Sequence, residues 1–269
     1  MKLKKRIIFT LLYSSENFVL SRNFRLQNIG NLNWLIKNYN FNNVSFYIDE
    51  LIILDVSRNN RNIENFSSLI EIISRDIFVP ISAGGGINSI KDAKKLFESG
   101  ADKVVLNTNL LKKSNLAEEI CTVYGKQCLV GSLDFIKKDD NYFIYSEYGQ
   151  KYIGNLDECL EKFRITERVG ELYINSIDQD GTGNGLDLQI GEMIFRKIKT
   201  PFILAGGIGK SEHIVSALEK EYINAVSTAH LLNFMGNSLE KTRQISYQKG
   251  IKLAKWNDIK QLKSRYNLQ

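Results

Sequence analysis

Val79-Pro80-Ile81-Ser82-Ala83-Gly84-Gly85-Gly86-Ile87 returns later in the chain as Thr200-Pro201-Phe202-Ile203-Leu204-Ala205-Gly206-Gly207-Ile208. Each stretch is a short apolar run opened by proline and closed by glycines, the pattern of a β-strand running into a turn. These two prolines are the only ones in the 269 residues, and they stand 121 apart. The same offset carries Glu50 onto Glu171 and Ile53 onto Ile174, and it carries Leu96 and Phe97 onto Ala217 and Leu218. With one residue of slip, residues 6–12 fall on 128–134. Matched flanks on both sides of a glycine motif mark a duplicated unit.

Outward from the repeat, short β-branched runs alternate with helical patterns. Strands are expected over 6–13, 50–56, 79–83, 103–107, 127–134, 171–176, 201–205 and 224–228. Between them, Ile90, Ala93, Leu96 and Phe97 recur at helical spacing behind Ser89, a suitable N-cap. Ile214, Val215, Ala217 and Leu218 repeat the pattern. Strand-helix alternation predicts βαβ units, and eight strands suit closure. The expected fold is α/β, one (βα)8 TIM barrel over 1–250. It is built from two (βα)4 half-barrels, about 1–125 and 126–250, with a basic tail or helix at 251–269.

Composition narrows the function. The chain is 43% hydrophobic, enough for a core, and carries a net charge of +6. Its basic residues are spread among acids, so no nucleic-acid partner is expected. The charge suits a solvated surface or an anionic small molecule. The start of the chain, Met1 to Tyr13, resembles a leader in its basic residues and short apolar run. It lacks a small-residue cleavage site, and a first strand explains it better. No window approaches the length of a membrane span, so no membrane association is expected and the location is read as cytoplasmic. Cys121, Cys128 and Cys159 have no metal-ligand spacing and read as reduced thiols, mostly in the core. No metal or cofactor is expected.

In a barrel of this kind, function gathers at the C-terminal ends of the strands. The glycines at Gly85, Gly86, Gly206 and Gly207 follow strands, where they serve tight turns or bring backbone N–H groups up to a phosphate. Asn107 and Thr108 add polar groups in one half, as do Ala229 and His230 in the other. Two equivalent grips imply a small molecule phosphorylated at both ends. Asp180, Gly181 and Thr182 form a candidate turn offering a carboxylate, an N–H and a hydroxyl. Asp134 ends the fifth strand of the barrel and is a candidate general acid or base. His213 is expected on a helix, in solvent. At the opposite face Arg6, Glu50, Lys103 and Glu171 each open a strand; they form either an ordinary ion network or a gate.

These residues resemble one family, the cyclase subunit of imidazole glycerol phosphate synthase, over about residues 4–250. The resemblance rests on Lys5-Arg6-Ile7-Ile8, Asp49-Glu50-Leu51-Ile52-Ile53-Leu54-Asp55, Gly84-Gly85-Gly86-Ile87, Gly100-Ala101-Asp102-Lys103-Val104 and Asn107-Thr108. It also rests on Ser176-Ile177-Asp178-Gln179-Asp180-Gly181-Thr182 and Gly206-Gly207. It implies a glutaminase partner whose ammonia enters at the barrel bottom and crosses to the mouth. It also implies a gate at Arg6, Glu50, Lys103 and Glu171, and a docking position at Asp102. Phosphate grips are implied at Gly86, Asn107, Thr108, Gly181, Gly207, Ala229 and His230, with Asp134 as one of two catalytic aspartates.

The chain departs from that family where proton transfer is done. Leu12 stands in place of the other aspartate, and the loop over 14–22 holds Glu16 and Arg22 but none of the family's lysines. Asn175 and Ala205 stand where hydroxyl residues are usual. Divergent relatives accompany sugar amidotransferases in bacterial surface-polysaccharide synthesis. The resemblance therefore implies ammonia delivery to a phosphorylated acceptor, with the ordinary cyclase and a silent glutaminase activator as alternatives.

Overall fold

Both proline-led stretches form strands, Ile81–Gly84 and Phe202–Ala205, each beginning one residue after its proline. Proline has no N–H to leave unpaired there, and its carbonyl still serves. The carbonyl of Pro80 accepts from Leu51 N at 2.9 Å, and that of Pro201 accepts from Leu172 N at the same distance. The repeat thus extends to individual backbone hydrogen bonds. Asp49 N donates to Ile7 O as Gly170 N does to Leu129 O, and Val56 N donates to Tyr13 O as Ile177 N does to Phe135 O.

The structure, a computed structural model, describes residues 4–39, 44–230 and 237–254. Its strands are β1 (Arg6–Ser14), β2 (Asn17–Arg22), β3 (Arg25–Gly30), β4 (Glu50–Asp55), β5 (Ile81–Gly84) and β6 (Lys103–Leu106). They continue with β7 (Leu129–Lys138), β8 (Asn141–Ser146), β9 (Lys151–Asn155), β10 (Glu171–Ser176), β11 (Phe202–Ala205) and β12 (Ala225–Thr228). The order β10-β11-β12-β1-β4-β5-β6-β7, closed by β7 against β10, is a parallel barrel of eight strands. Helices alternate with these strands, so the fold is the (βα)8 TIM barrel. The described helices are α1 (Leu32–Tyr39), α2 (Ile63–Asp76), α3 (Ile90–Glu98), α4 (Leu116–Tyr124), α5 (Leu156–Lys162), α6 (Ile165–Arg168), α7 (Leu188–Lys197), α8 (Ser211–Leu218) and α9 (Ser238–Gln248).

Four strands have no counterpart in the sequence reading. β1 and β7 run past the barrel rim and fold back as antiparallel excursions, β1-β2-β3 and β7-β8-β9. The two excursions occupy equivalent places in the two halves. Their strands are short and only partly buried, so alternation is weak, and their turns lack Asn-Gly or Asp-Gly. Non-glycine pairs at positive φ make the turns instead, Asn23-Phe24 at 49° and 62° and Glu147-Tyr148 at 51° and 63°.

The core is double. Outward-facing residues of the barrel strands pack against the helices, with Ile7, Phe9, Leu11, Ile53, Leu133 and Leu204 among them. Inward-facing Ile8, Ile52, Val105, Val130, Tyr173, Ile203 and Ala225 fill the barrel itself. Ser89 caps α3 in a reciprocal capping box with Asp92. Arg243 of α9 binds Asp49 through both terminal nitrogens, at 2.8 and 3.0 Å, while Asp49 also accepts from Ile7 N at 2.8 Å. That buried cluster fastens the last described helix to the first two strands of the barrel. The tail expected at 251–269 is described only to residue 254, where Leu253 bridges Lys5; the rest lies outside the described residues. Of the cysteines Cys159 alone is buried, Cys121 and Cys128 being partly exposed. Among the described residues no helix is long and apolar enough to cross a membrane.

Candidate active site

At the N-terminal face of the barrel, Arg6, Glu50, Lys103 and Glu171 are the first residues of β1, β4, β6 and β10. The parallel register turns all four inward, where they close one alternating ring. Arg6 binds Glu50 at 2.5 Å and also Glu171, while Lys103 binds Glu50 at 3.1 Å and Glu171 at 3.0 Å. Each carboxylate takes both cations. Burial opposes charge on Lys103 and Glu171, but the ring more than offsets it, so Lys103 is raised and Glu171 lowered from their ordinary values. The ring sums to zero, the condition under which four charges can be taken from water together. Asp102, beside it and exposed, accepts from Ile81 N at 2.8 Å.

Above the ring lies the apolar layer, and above that a set of hydroxyls. Thr10 Oγ1 lies 2.6 Å from Ser227 Oγ and 3.3 Å from Tyr173 Oη. They lead into a cavity of about 610 Å³ at the barrel mouth. Leu12, Leu54, Asp134 and Asn175 line its floor.

Asp134 receives the amide of Asn107 at 3.0 Å and that of Asn175 at 3.3 Å. Burial nevertheless pushes its carboxyl up to about 7, with the charge of Asp180 adding to the rise. A carboxyl poised near neutrality can give or take a proton. β7 continues past Asp134 to Lys138, so the residue lies on a rigid strand rather than at a strand end. Asn107 gives its amide to Asp134 and to Ser132 O, so it orients the carboxyl as well as lining the mouth.

The two glycine turns face each other across the cavity. Gly85 holds φ +107°, and a Cβ there would fall 2.1 Å from Asp55 O. Gly206 holds φ +89°, and its Cβ would fall 2.7 Å from Ser176 O. Only glycine permits that approach. Gly85, Gly86, Gly206, Gly207, Gly181, Thr108, Ala229 and His230 all line the cavity.

Two expected site residues are used differently. Asp180 lines the cavity, but its carboxylate accepts from Ser21 Oγ at 2.5 Å and Phe24 N at 3.0 Å, so it fastens the β2–β3 turn over the mouth. Gly181 packs beneath the same turn, against Ser21 and Arg22. Thr182 is outside the lining; its hydroxyl donates to Gln179 O at 2.8 Å and closes the local turn. A threonine two residues past a turn aspartate serves its own backbone as readily as a ligand. His213 is on α8 as expected but half-buried, its Nδ1 accepting from Gly209 N at 3.3 Å. His230 Nδ1 is buried with no hydrogen-bond partner among the described residues, and burial holds its imidazole below the ordinary value.

Sequence reasoning missed Arg25, Arg58, Arg61 and Tyr148, which also line the cavity. Arg58 and Arg61 follow β4 at a spacing of three, a signal visible beforehand. Tyr148 comes from the unforeseen β8–β9 excursion.

The class the structure defines is that of duplicated (βα)8 barrels, with a charged ring at the foot and paired glycine turns at the mouth. The chain belongs to the histidine biosynthesis protein family, which it matches over residues 29–237. It is 46% identical over 254 residues to a protein of Parasynechococcus marenigrum (strain WH8102) provisionally named imidazole glycerol phosphate synthase subunit hisF2, covering 94% of each chain. It is 32% identical over 244 residues to imidazole glycerol phosphate synthase subunit HisF of an Exiguobacterium species, covering 90% of this chain and 93% of the relative. For the subunit HisF of Chlorobium limicola the identity is 31% over 252 residues, covering 93% and 98%.

Proposed function

We propose that this chain is a cyclase-like synthase subunit that takes ammonia from a glutaminase partner docked near Asp102 and delivers it to a phosphorylated acceptor in the barrel mouth. The four-charge ring acts as the gate, parting to admit ammonia. Neutral ammonia can cross the layer of Ile8, Ile52, Val130 and Ile203, whereas ammonium cannot do so without a large desolvation cost. The hydroxyls of Thr10, Ser227 and Tyr173 receive it on the far side. Gly85, Gly86 and Thr108 hold one phosphate of the acceptor, and Gly181, Gly206, Gly207, Ala229 and His230 hold the other. Asp134 moves the proton. The natural acceptor is a sugar derivative of surface-polysaccharide synthesis, aminated in the cytoplasm, with a sugar amidotransferase completing the complex.

The observation that carries this reading is Leu12. The ring and both glycine turns are intact, yet the residue facing the cavity from β1 is a leucine, 8% exposed, beside Leu54. A cyclisation needing two proton-transfer groups loses about 10²–10⁴-fold without one of them. Substitution by ammonia at an activated carbon can proceed with one. The C–N bond forms as the bond to the activating group breaks and that group departs, and Asp134 takes the proton the nitrogen sheds.

The printed names of the relatives favour a second reading, the histidine-pathway cyclase itself. One experiment separates the two. The chain is purified with a glutaminase subunit and given the substrate of the histidine-pathway cyclase with ammonium salts. The proposal expects no turnover above background, together with glutamine hydrolysis that depends on this chain. Turnover at an ordinary enzyme rate would replace it with the cyclase.

A further inference from the structure

Ten arginines fall among the described residues. Six of them, Arg6, Arg75, Arg164, Arg168, Arg196 and Arg243, form ion pairs with carboxylates. The other four, Arg22, Arg25, Arg58 and Arg61, pair with no carboxylate among the described residues, and all four line the barrel mouth. Two flank the β2–β3 turn and two lie on the loop after β4, so they share the rim of the first half-barrel.

Their setting is built rather than incidental. The guanidinium carbons of Arg58 and Arg61 each lie 5.6 Å from the centre of the Tyr148 ring. The Tyr148 hydroxyl lies 3.2 Å from Ser57 O and 3.3 Å from Arg58 O, tying the β8–β9 turn to this loop. Tyr148 holds that place at φ 63° as the second residue of the Glu147-Tyr148 turn, which sets its ring against both guanidinium groups. Arg58 Nη2 donates to Phe24 O at 2.6 Å, which fixes its fork and leaves its other donors free. Two like charges gathered on one ring repel, and an anion between them would relieve that repulsion.

The rim also meets the glycine turn. A Cβ on Gly86 would lie 2.6 Å from Arg61 Cδ and 3.3 Å from its Nη1, so Arg61 lies directly against the turn. A phosphate held by the N–H groups of Gly85 and Gly86 therefore has one guanidinium in reach. Three more cations stand beyond it, more than one phosphate can satisfy. Arginine forks match phosphate oxygens bidentately, and successive phosphates present such oxygens in series.

We infer that the first-half rim is a diphosphate subsite, in which Arg58 and Arg61, assisted by Arg22 and Arg25, hold a second phosphate joined to the one on the glycine turn. The acceptor class is then a diphosphate ester rather than a molecule with single phosphates only. This rests on the phosphate-binding part of the function proposed above, and it is independent of ammonia delivery.

The test is calorimetric titration of the purified full chain with inorganic pyrophosphate and with inorganic phosphate at one fixed ionic strength. Pyrophosphate is expected to bind at least about 10-fold more tightly than phosphate. Arg58→Gln/Arg61→Gln should cut that preference below about 3-fold, and Arg22→Gln/Arg25→Gln should reduce it by a smaller factor. Arg75→Gln/Arg196→Gln, which removes the same charge from exposed pairs elsewhere, should leave it unchanged. Equal affinities in the unaltered protein, or a preference surviving both rim variants, would overturn the subsite. In either case retained phosphate binding leaves the proposed function standing, whereas failure to bind either anion would sink both.

Discussion

Leu12 occupies in the first half of the barrel the place that Asp134 occupies in the second. Leu12 pairs with Leu54 across β1 and β4, and Asp134 pairs with Asn175 across β7 and β10, in equivalent registers. The backbone has kept its twofold symmetry while the chemistry has lost it. One flank of the mouth is hydrocarbon, and the other is a carboxyl held by two amides.

Asp134 should make stability depend on pH with a definite sign. Its carboxyl titrates near 7 in the folded chain and near 3.9 when unfolded. Between those values the folded state holds a proton that the unfolded state has released, so stability falls as pH rises from about 4 to 7. Asp134→Asn removes that dependence. The variant should gain on the unaltered protein across this range, by at most about 4 kcal/mol. Urea unfolding at pH 5 and pH 8 measures it, and an equal difference at both values would refute the assignment.

Removing Lys103 should cost more than a surface charge normally does. Glu50 and Glu171 are 5% and 6% exposed, and each leans on both cations of the ring. Lys103→Met leaves two buried carboxylates to share Arg6, at a cost of about 3–5 kcal/mol. Lys103→Met/Glu171→Gln restores the charge balance and should recover at least half of that. A double-mutant cycle by denaturant unfolding gives the coupling. Additive effects would mean that the ring is not a unit.

Arg243 should be as costly to lose, and insensitive to salt. Its side chain and that of Asp49 are 3% and 4% exposed, so ions cannot screen the pair. Arg243→Met leaves Asp49 buried with only Ile7 N as partner, which costs about 3–5 kcal/mol. Arg75→Met breaks an exposed pair with Glu71 and should cost under about 1 kcal/mol. Thermal melts at low and high salt compare the two.

The barrel was legible because closure imposes periodicity. Each barrel strand must bury both faces and end in a turn, and duplication prints that requirement twice, so Pro80 and Pro201 or Glu50 and Glu171 disclose it by offset alone. The ring was legible for the same reason, since strand-first charges in a parallel barrel must converge. The excursions were not. β2, β3, β8 and β9 are half-exposed ribbons whose register comes from turns of Asn23-Phe24 and Glu147-Tyr148, of which only Asn23 has a strong turn preference. The arginine rim was hidden with them, because Arg22 and Arg25 meet Arg58 and Arg61 only once β2 and β3 fold back. Asp180 misled because its turn sequence suits a ligand, while its actual partners, Ser21 and Phe24, lie more than 150 residues away.

Leu12→Asp tests whether symmetry of chemistry can be restored. The new carboxyl would face the cavity beside Leu54, without the amides that Asn107 and Asn175 give Asp134. A polar group placed there without hydrogen-bond donors costs about 1–3 kcal/mol, and exchanging leucine for a smaller side chain adds to that. Burial should also raise the new carboxyl, so the penalty shrinks as pH falls and the group protonates. The midpoint of urea unfolding should therefore drop at pH 8 by more than it does at pH 5. A smaller drop at pH 8 than at pH 5 would show that cations of the mouth reach the position and stabilise the charge. In that case the apolar flank would be a feature of one side chain rather than of its surroundings, and a second proton-transfer group could be supported there.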